Sequence, residues 1–383
     1  MKKSFIFGAA LFACALGFQS CSDVDNPVPT DEPLVAEIKA GTDLAVLADK
    51  YAEDGVLTLP AGAEVTLGEA FEVPAALTIV GDEAQPAKVK FTGENAGFVI
   101  QNGLTLKNLD FDCAASKAPF IKLSTNPDAE PVTLNAWGTD YNFYEIKDPI
   151  EVVNCKIDNV NSYFFTDVKF GSNGVWFPTS ILVDNCLVHL TTSVSTNGYI
   201  YTNNGGGYPK ELTVKNSTFY NTGDIDVKYF VQTGGFGQTH TGEALGWADN
   251  TITYDHCTFY HVCSDGQWGN YNGIQGKTTS FWNMTNCIFY DCSSSGIARR
   301  FLHGKQNQAT ATFLNNTYQQ KDVETTAEDG TVTKTAKFDN PAGYDNTETD
   351  IKEDPKFADP ANADFHISGA KQVELKTGDP RWL

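Results

Sequence analysis

The sequence predicts an all-β chain, a single-stranded parallel β-helix solenoid with a short N-terminal helical cap. Three observations predict it. A strand-like run, an Asn-like residue and a second apolar run recur at Asn108, Asn154, Asn185, Asn216, His256, Asn286 and Asn315, at intervals of 46, 31, 31, 40, 30 and 29 residues. A period near 30 with variable insertions is the sign of a stacked-repeat architecture. The residue after the Asn is small and repeated: Cys155, Cys186, Cys257 and Cys287, with Ser217 and Asn316 in the same place. Finally, Gly (33), Tyr (15) and Phe (25) are plentiful while Met is only 2, a turn-rich and aromatic-rich balance that suits strands.

The elements follow in order. Lys2 and Lys3, the apolar residues 5–18 and the run FQSC read as an export signal. The apolar run is too short for an ordinary spanning helix. FQSC resembles a bacterial lipobox, with Phe18 where Leu is usual, and marks Cys21 as the lipidated first mature residue. Residues 1–20 are then the signal peptide, 21–35 a polar, Pro-rich tether, and 36–383 the β-helix domain. TDLAVLADKYAEDG (residues 42–55) reads as the capping helix: Thr42 or Asp43 starts it, Leu44, Leu47, Ala48 and Tyr51 form its apolar face, and Gly55 stops it. VLTLPAG, VTLGEAF, ALTIVGDE and KVKFTG supply the early coils, and residues 94–318 the repeating body. The longest departures from register carry WGTDYNFY (137–144) and GGFGQTHTGEALGWAD (234–249). Residues 319–348 look like a surface hairpin or excursion, and the end of the chain is turn-rich with one strand, Trp382 packing over the last coil.

Registered repeats stack like residues on like at a spacing of about 4.8 Å. The Asn tolerates a left-handed backbone and hydrogen-bonds from coil to coil, so it is structural rather than catalytic, and His256 shares its place. The position three residues on is apolar throughout (Phe111, Ile157, Val188, Phe219, Phe259, Phe289, Tyr318) and belongs to the core. Its neighbours Tyr220, Tyr260 and Tyr290 then form an outer stripe. The thiols form a buried small-residue ladder, free Cys behaving as a small hydrophobe. Seven cysteines lie beyond Cys21, so at least one of those stays unpaired.

Lys plus Arg number 27 against 48 for Asp plus Glu, a net charge of -21, and no basic patch with interleaved aromatics is present, so nucleic acid is excluded as a partner. No metal-ligand spacing appears; Ca²⁺ at an acidic turn is the one cofactor in keeping with the residue types. The repeats, the terminal run DPKFADPANADFHI and the closing GDPRWL together resemble exported bacteroidete lipoproteins of the pectate-lyase-like superfamily. That resemblance implies a right-handed β-helix and an outer-membrane lipoprotein facing the surface or periplasm. It also implies a membrane association through the lipid anchor alone. The superfamily includes polysaccharide lyases, glycoside hydrolases and glycan-binding or adhesive proteins, and fold does not choose among them.

Three functions follow. The first is binding of a polysaccharide without assured catalysis, using ring-stacking aromatics: Trp247, Trp268 and Tyr271 in the loops, and the stripe Tyr220, Tyr260 and Tyr290. Trp137, Tyr141 and Trp176 are further rings in excursions. The second is a lyase acting on a uronic-acid polymer. It needs a base and a cation that neutralises the substrate carboxylate. Arg299, Arg300, His303 and Lys305, in SGIARRFLHGKQ, are the densest positive cluster. The third is a structural or adhesive surface protein with a protein partner. Hydrolysis would draw on Asp224, Asp226, Asp249, Asp255, Asp265 or Asp291, all at turns where Asp is common anyway.

Overall fold

The computed structural model describes residues 38–383 apart from 128, 172, 193–195, 224–226, 275–276, 294–295, 298–309, 339–344 and 346. From Val56 to Tyr271 the chain runs through three sheets of parallel strands, visiting each once per coil. Among the described residues, sheet A has 11 strands, sheet B nine and sheet C seven, and in each the strand order follows the coil order. This is a solenoid-like ladder. Sheet B carries the run before the Asn and sheet A the run after it. Ile150, Ile181, Leu212 and Ile252 stand in register on sheet B. On sheet A, Val65, Val89, Phe111, Ile157, Val188, Phe219, Phe259, Phe289 and Tyr318 form one continuous row. All nine are buried. Phe259 stacks on Phe289 at 5.2 Å, and Phe289 on Tyr318 at 5.6 Å.

The corner between sheets B and A explains the repeated Asn. Asn108, Asn154, Asn185, Asn216, His256, Asn286 and Asn315 all have φ between 49° and 56°. Asn and His are among the few residues that accept this left-handed region. The side chains link the coils: Asn154 Nδ2 donates to Asn108 Oδ1 (3.2 Å), and Asn185 Nδ2 to Asn154 Oδ1 (2.8 Å). The pattern changes at Asn216, which donates instead to Asp184 Oδ1 (2.9 Å), and at His256, whose ring turns to Asp255 (2.9 Å); it resumes from Asn315 to Asn286 (3.2 Å). The next residue is buried. Cys155, Cys186, Cys257 and Cys287 donate their thiols to the carbonyls two residues back. Ser217 does the same through oxygen (2.6 Å). Asn316 instead accepts from Cys287 N and donates to Met284 O. All seven described cysteines are buried, and Cys113, Cys155, Cys186, Cys257 and Cys287 are free thiols; burial pushes the Cys113, Cys186 and Cys257 thiols well up.

The first helix is shorter than the sequence predicts. It spans Leu44–Tyr51, with Asp43 accepting from Ala45 N (2.9 Å) and Val46 N (3.3 Å). Thr42 and Asp43 pair with the strand Glu64–Leu67, and Glu53 bridges to Val56, so both ends of the predicted span go to strand pairing. Leu44, Leu47 and Ala48 are buried as expected. Residues 317–338 form the surface hairpin, Thr317–Thr326 against Val332–Phe338. Beyond it, the sequence predicts one strand; the structure has two, Phe357–Asp359 and Asp364–Ile367, followed by the helix Ala370–Leu375. Trp382 does not close the last coil. It lies over the outer face of sheet A, against Phe365, with Nε1 donating to Thr218 Oγ1 (2.7 Å). Apolar and Thr residues on that face (Leu187, Thr218, Thr258, Ile288) account for the cover.

No helix among the described residues is long and apolar enough to cross a membrane.

Candidate functional site

The outer face of sheet A falls into two halves. Over the later coils it is aromatic and covered. Tyr220, Tyr260 and Tyr290 do stand in register, Tyr260 stacked on Tyr290 at 5.0 Å. The C-terminal segment lies on them: Phe365 packs on Tyr220 and Tyr260, and Phe357 on Tyr260 and Tyr290. Tyr220 is buried and the other two half-buried, so the predicted stripe is present but does not face solvent. The sequence could not show this, because the cover comes from residues 67 to 162 positions away.

Over the earlier coils the same face is charged and open. One row across the strands reads Glu64, Lys88, Asp110, Lys156, and the second Thr66, Lys90, Asp112. Asp158 stands opposite Asp112 and extends the second row. Each side chain points outward because its neighbour in the strand is a core residue. These residues line a trough of about 560 Å³, and a second hollow of about 470 Å³ adjoins it through the shared Asp110 and Lys156. The second hollow runs along Asn108, Asn154 and Asn185 to Arg381, which donates to Asn185 Oδ1 at 2.9 Å and closes that end. Five adjacent strands at about 4.8 Å place the two ends on the order of 20 Å apart.

The charges in the trough are partly matched. Lys88 pairs with Glu64 at 3.1 Å and Lys156 with Asp158. Asp112 accepts from Ala114 N and from Asn159 Nδ2 (3.1 Å each). Burial pushes the Asp110 carboxyl above its usual range, Lys156 offsetting part of the shift and Asp158 and Asp112 adding to it. Burial works against the Lys156 ammonium, but the bond to Asp158 and the nearby carboxylates win and raise it. The trough thus presents ammonium groups, carboxylates and amides at fixed spacings on a rigid sheet. It can hydrogen-bond a polyhydroxylated chain and pair with scattered anionic groups. Sequence reasoning missed Lys88, Lys90, Asp110, Asp112, Asp158 and Lys156. Their alternation with core residues was legible, but the charge order across coils emerges only once the coils are stacked.

The two longest insertions meet in a separate lobe. Val132–Ala136 and Thr139–Ile146 form a hairpin, the second strand running parallel to Gly174–Pro178. The helix Gln238–Leu245, which the sequence pattern did not reveal, packs on this hairpin. Trp247, predicted as an exposed ring, is buried among Phe177 and Tyr208, with Nε1 donating to Glu145 Oε1 at 3.0 Å. Trp176 is likewise buried, its Nε1 donating to Ser124 O. Trp268 and Tyr271 differ most from expectation. The stretch predicted as a loop is the strand Gln267–Tyr271 of sheet C, and both rings are fully buried. Trp268 stacks on Phe230 at 4.5 Å, and Tyr271 meets Trp282 at 5.2 Å.

Arg299, Arg300, His303 and Lys305 lie outside the described residues, as do Cys21, the tether, Asp224 and Asp226. The remaining acidic turn residues do not form one cleft. Asp255 pairs with His256, Asp265 with Lys321 (3.6 Å), and Asp291 with His261 (2.5 Å); Asp249 is exposed. Among the described residues no group of three or more His, Cys, Asp or Glu is arranged to hold a metal ion.

Two families match the chain. One, described as Domain of unknown function (DUF4957), matches residues 64–222; the other, Domain of unknown function (DUF5123), matches residues 252–382. The trough strands and the Trp137 hairpin fall in the first match, and the helical insertion with Trp247 lies between the two. No curated protein matches the chain.

Proposed function

We propose that this protein binds an extended polysaccharide along the charged trough of sheet A. The observation that carries this reading is the continuity of the trough. Coil after coil supplies a charged or amide group along it, from Glu64 to Arg381. A polymer of sugar rings meets such a surface with its own regular series of hydroxyls and, in uronate polymers, carboxylates. Rigid elements hold the donors in place, so little ordering is needed on binding. The same reading takes the coils as right-handed, as strand–crossover–strand connections almost always are, and the helix Leu44–Tyr51 as cover for the edge of the first coil. It also takes residues 1–20 as a signal, Cys21 as the lipid attachment point and the β-helix as one domain at the cell surface or in the periplasm.

The test is a glycan panel on the mature chain, scored for retention and for depolymerisation, with and without Ca²⁺. Retention without cleavage is the expected result. Unsaturated uronate products, seen by their ultraviolet absorbance, would replace this reading with the lyase and direct mutagenesis to Arg299, Arg300, His303 and Lys305. Silence across neutral and acidic polymers would leave the structural or adhesive role.

A further inference from the structure

The hairpin of the insertion lobe turns through two residues, Trp137 and Gly138, since Ala136 pairs with Thr139. Both have positive φ, 52° and 79°. A two-residue turn of this type favours Asn-Gly or Asp-Gly, whose first residue accepts the left-handed region. A bulky aromatic residue there is an outlier. Such strain persists only where the surroundings enforce it, and it clusters at functional positions.

The ring does not repay that strain by burial. Trp137 is 67% exposed, whereas the other five tryptophans are at most 8% exposed. It is nonetheless firmly set. It lies 5.0 Å from Phe236 and 4.9 Å from His240, with Tyr141 edge-on at 6.2 Å. Phe236 is itself buried and packed on Phe143 (5.1 Å), so the indole rests on a solid aromatic base. Beside it, His240 Nδ1 is buried with no hydrogen-bond partner among the described residues. A ring placed only to seal the cluster would lie over it rather than leave most of its surface in solvent.

We propose that Trp137 is a stacking platform for a single pyranose ring of a neutral sugar, a second carbohydrate site that shares no lining residue with the trough. The indole face takes the apolar C–H face of the sugar, with Tyr141 and His240 the polar side chains set against the ring. The residues packed on the indole, Tyr141, Phe236 and His240, include no Lys or Arg to pair with a uronate carboxylate at this position. The proposal does not depend on the trough binding anything.

The experiment titrates the mature chain with neutral gluco-, galacto-, manno- and xylo-oligosaccharides, followed by tryptophan emission and calorimetry. One of these should shift the emission of the wild type. Trp137→Asn suits the turn and should fold, yet weaken that binding at least about tenfold, the order of loss when an aromatic stacking partner is removed; Trp137→Phe should retain part of it. Lys90→Glu, in the trough, should leave it unchanged. Saturation-transfer spectra of the wild type need no variant and should mark the C–H protons of one sugar face. Absence of any emission shift across the four series, or equal binding by Trp137→Asn, would overturn the proposal.

Discussion

Asn185 shows how much one residue can carry in this architecture. It holds φ at 52°, donates to Asn154 Oδ1, and accepts from Arg381 through both its backbone and side-chain oxygens. Asn185→Ala should cost about 2–3 kcal/mol, from left-handed strain and lost hydrogen bonds. Asn185→Gly relieves the strain and should cost roughly 1 kcal/mol less. Urea denaturation of the two variants separates backbone from side chain. Asp167 supplies a second prediction at this scale. It is 1% exposed, and its oxygens accept from Asn204 N (2.9 Å) and Gly205 N (2.8 Å). Burial raises its carboxyl to about 6, although those amides pull it down. The folded value lies above the ordinary one, so the folded state holds its proton longer. The contribution of Asp167 to stability should therefore be fully present below about pH 4 and be lost as pH rises towards 6, by up to about 3 kcal/mol at 1.36 kcal/mol per unit. Asp167→Asn should flatten that part of the stability–pH profile and lower its baseline, because an amide has one oxygen for two backbone donors. Residue identity alone reveals some of these roles. A repeated Asn after an alternating run has few uses besides a corner. A Trp has many, and Trp268 in the core and Trp137 in solvent are each followed directly by a Gly.

At the scale of elements, the repeats were legible and the insertions were not. Strands of the body declared themselves because the same alternation recurs in register. The stretch CSDGQWGNYNGIQG was misleading because its Gly and Asn residues signal a loop, whereas pairing with Tyr229–Thr233 makes it a strand. The C-terminal segment is the element with the largest unforeseen effect. Its docking joins Asp379 Oδ2 to Thr218 Oγ1 (2.8 Å), Thr258 Oγ1 to Asp379 N (3.0 Å) and Trp382 Nε1 to Thr218. Trp382→Ala should cost about 3 kcal/mol or more, as large-to-small changes of buried aromatics do. It should also uncover the apolar face, so dye binding to exposed apolar surface should rise before the main unfolding transition. A cooperative loss with no such phase would show that the segment and the coils melt as one unit. Trp247→Ala tests the lobe in the same way, with a comparable loss and a loosened base beneath Trp137.

At the scale of the whole molecule, stacking turns a weak sequence signal into a long surface. The chain's net charge is -21, yet the trough gathers Lys88, Lys90 and Lys156 among its carboxylates. No single repeat contains that pattern; it arises because successive coils bring residues about 20 to 50 positions apart into rows. This is why the solenoid could be predicted from periodicity, while the candidate site could not. The ring-stacking residues chosen from the sequence were chosen one by one, and most proved to be core. The trough and the Trp137 platform depend instead on neighbours supplied by other coils. The most direct test of polysaccharide binding along the trough is affinity electrophoresis on the polymer that the wild type retains best, run beside Lys90→Glu. Lys90 is exposed and outward-facing, so its reversal leaves the core intact. Binding along the trough predicts at least about a tenfold loss of affinity, roughly 1.4 kcal/mol, with an unchanged thermal transition. Equal retention of wild type and variant would contradict it.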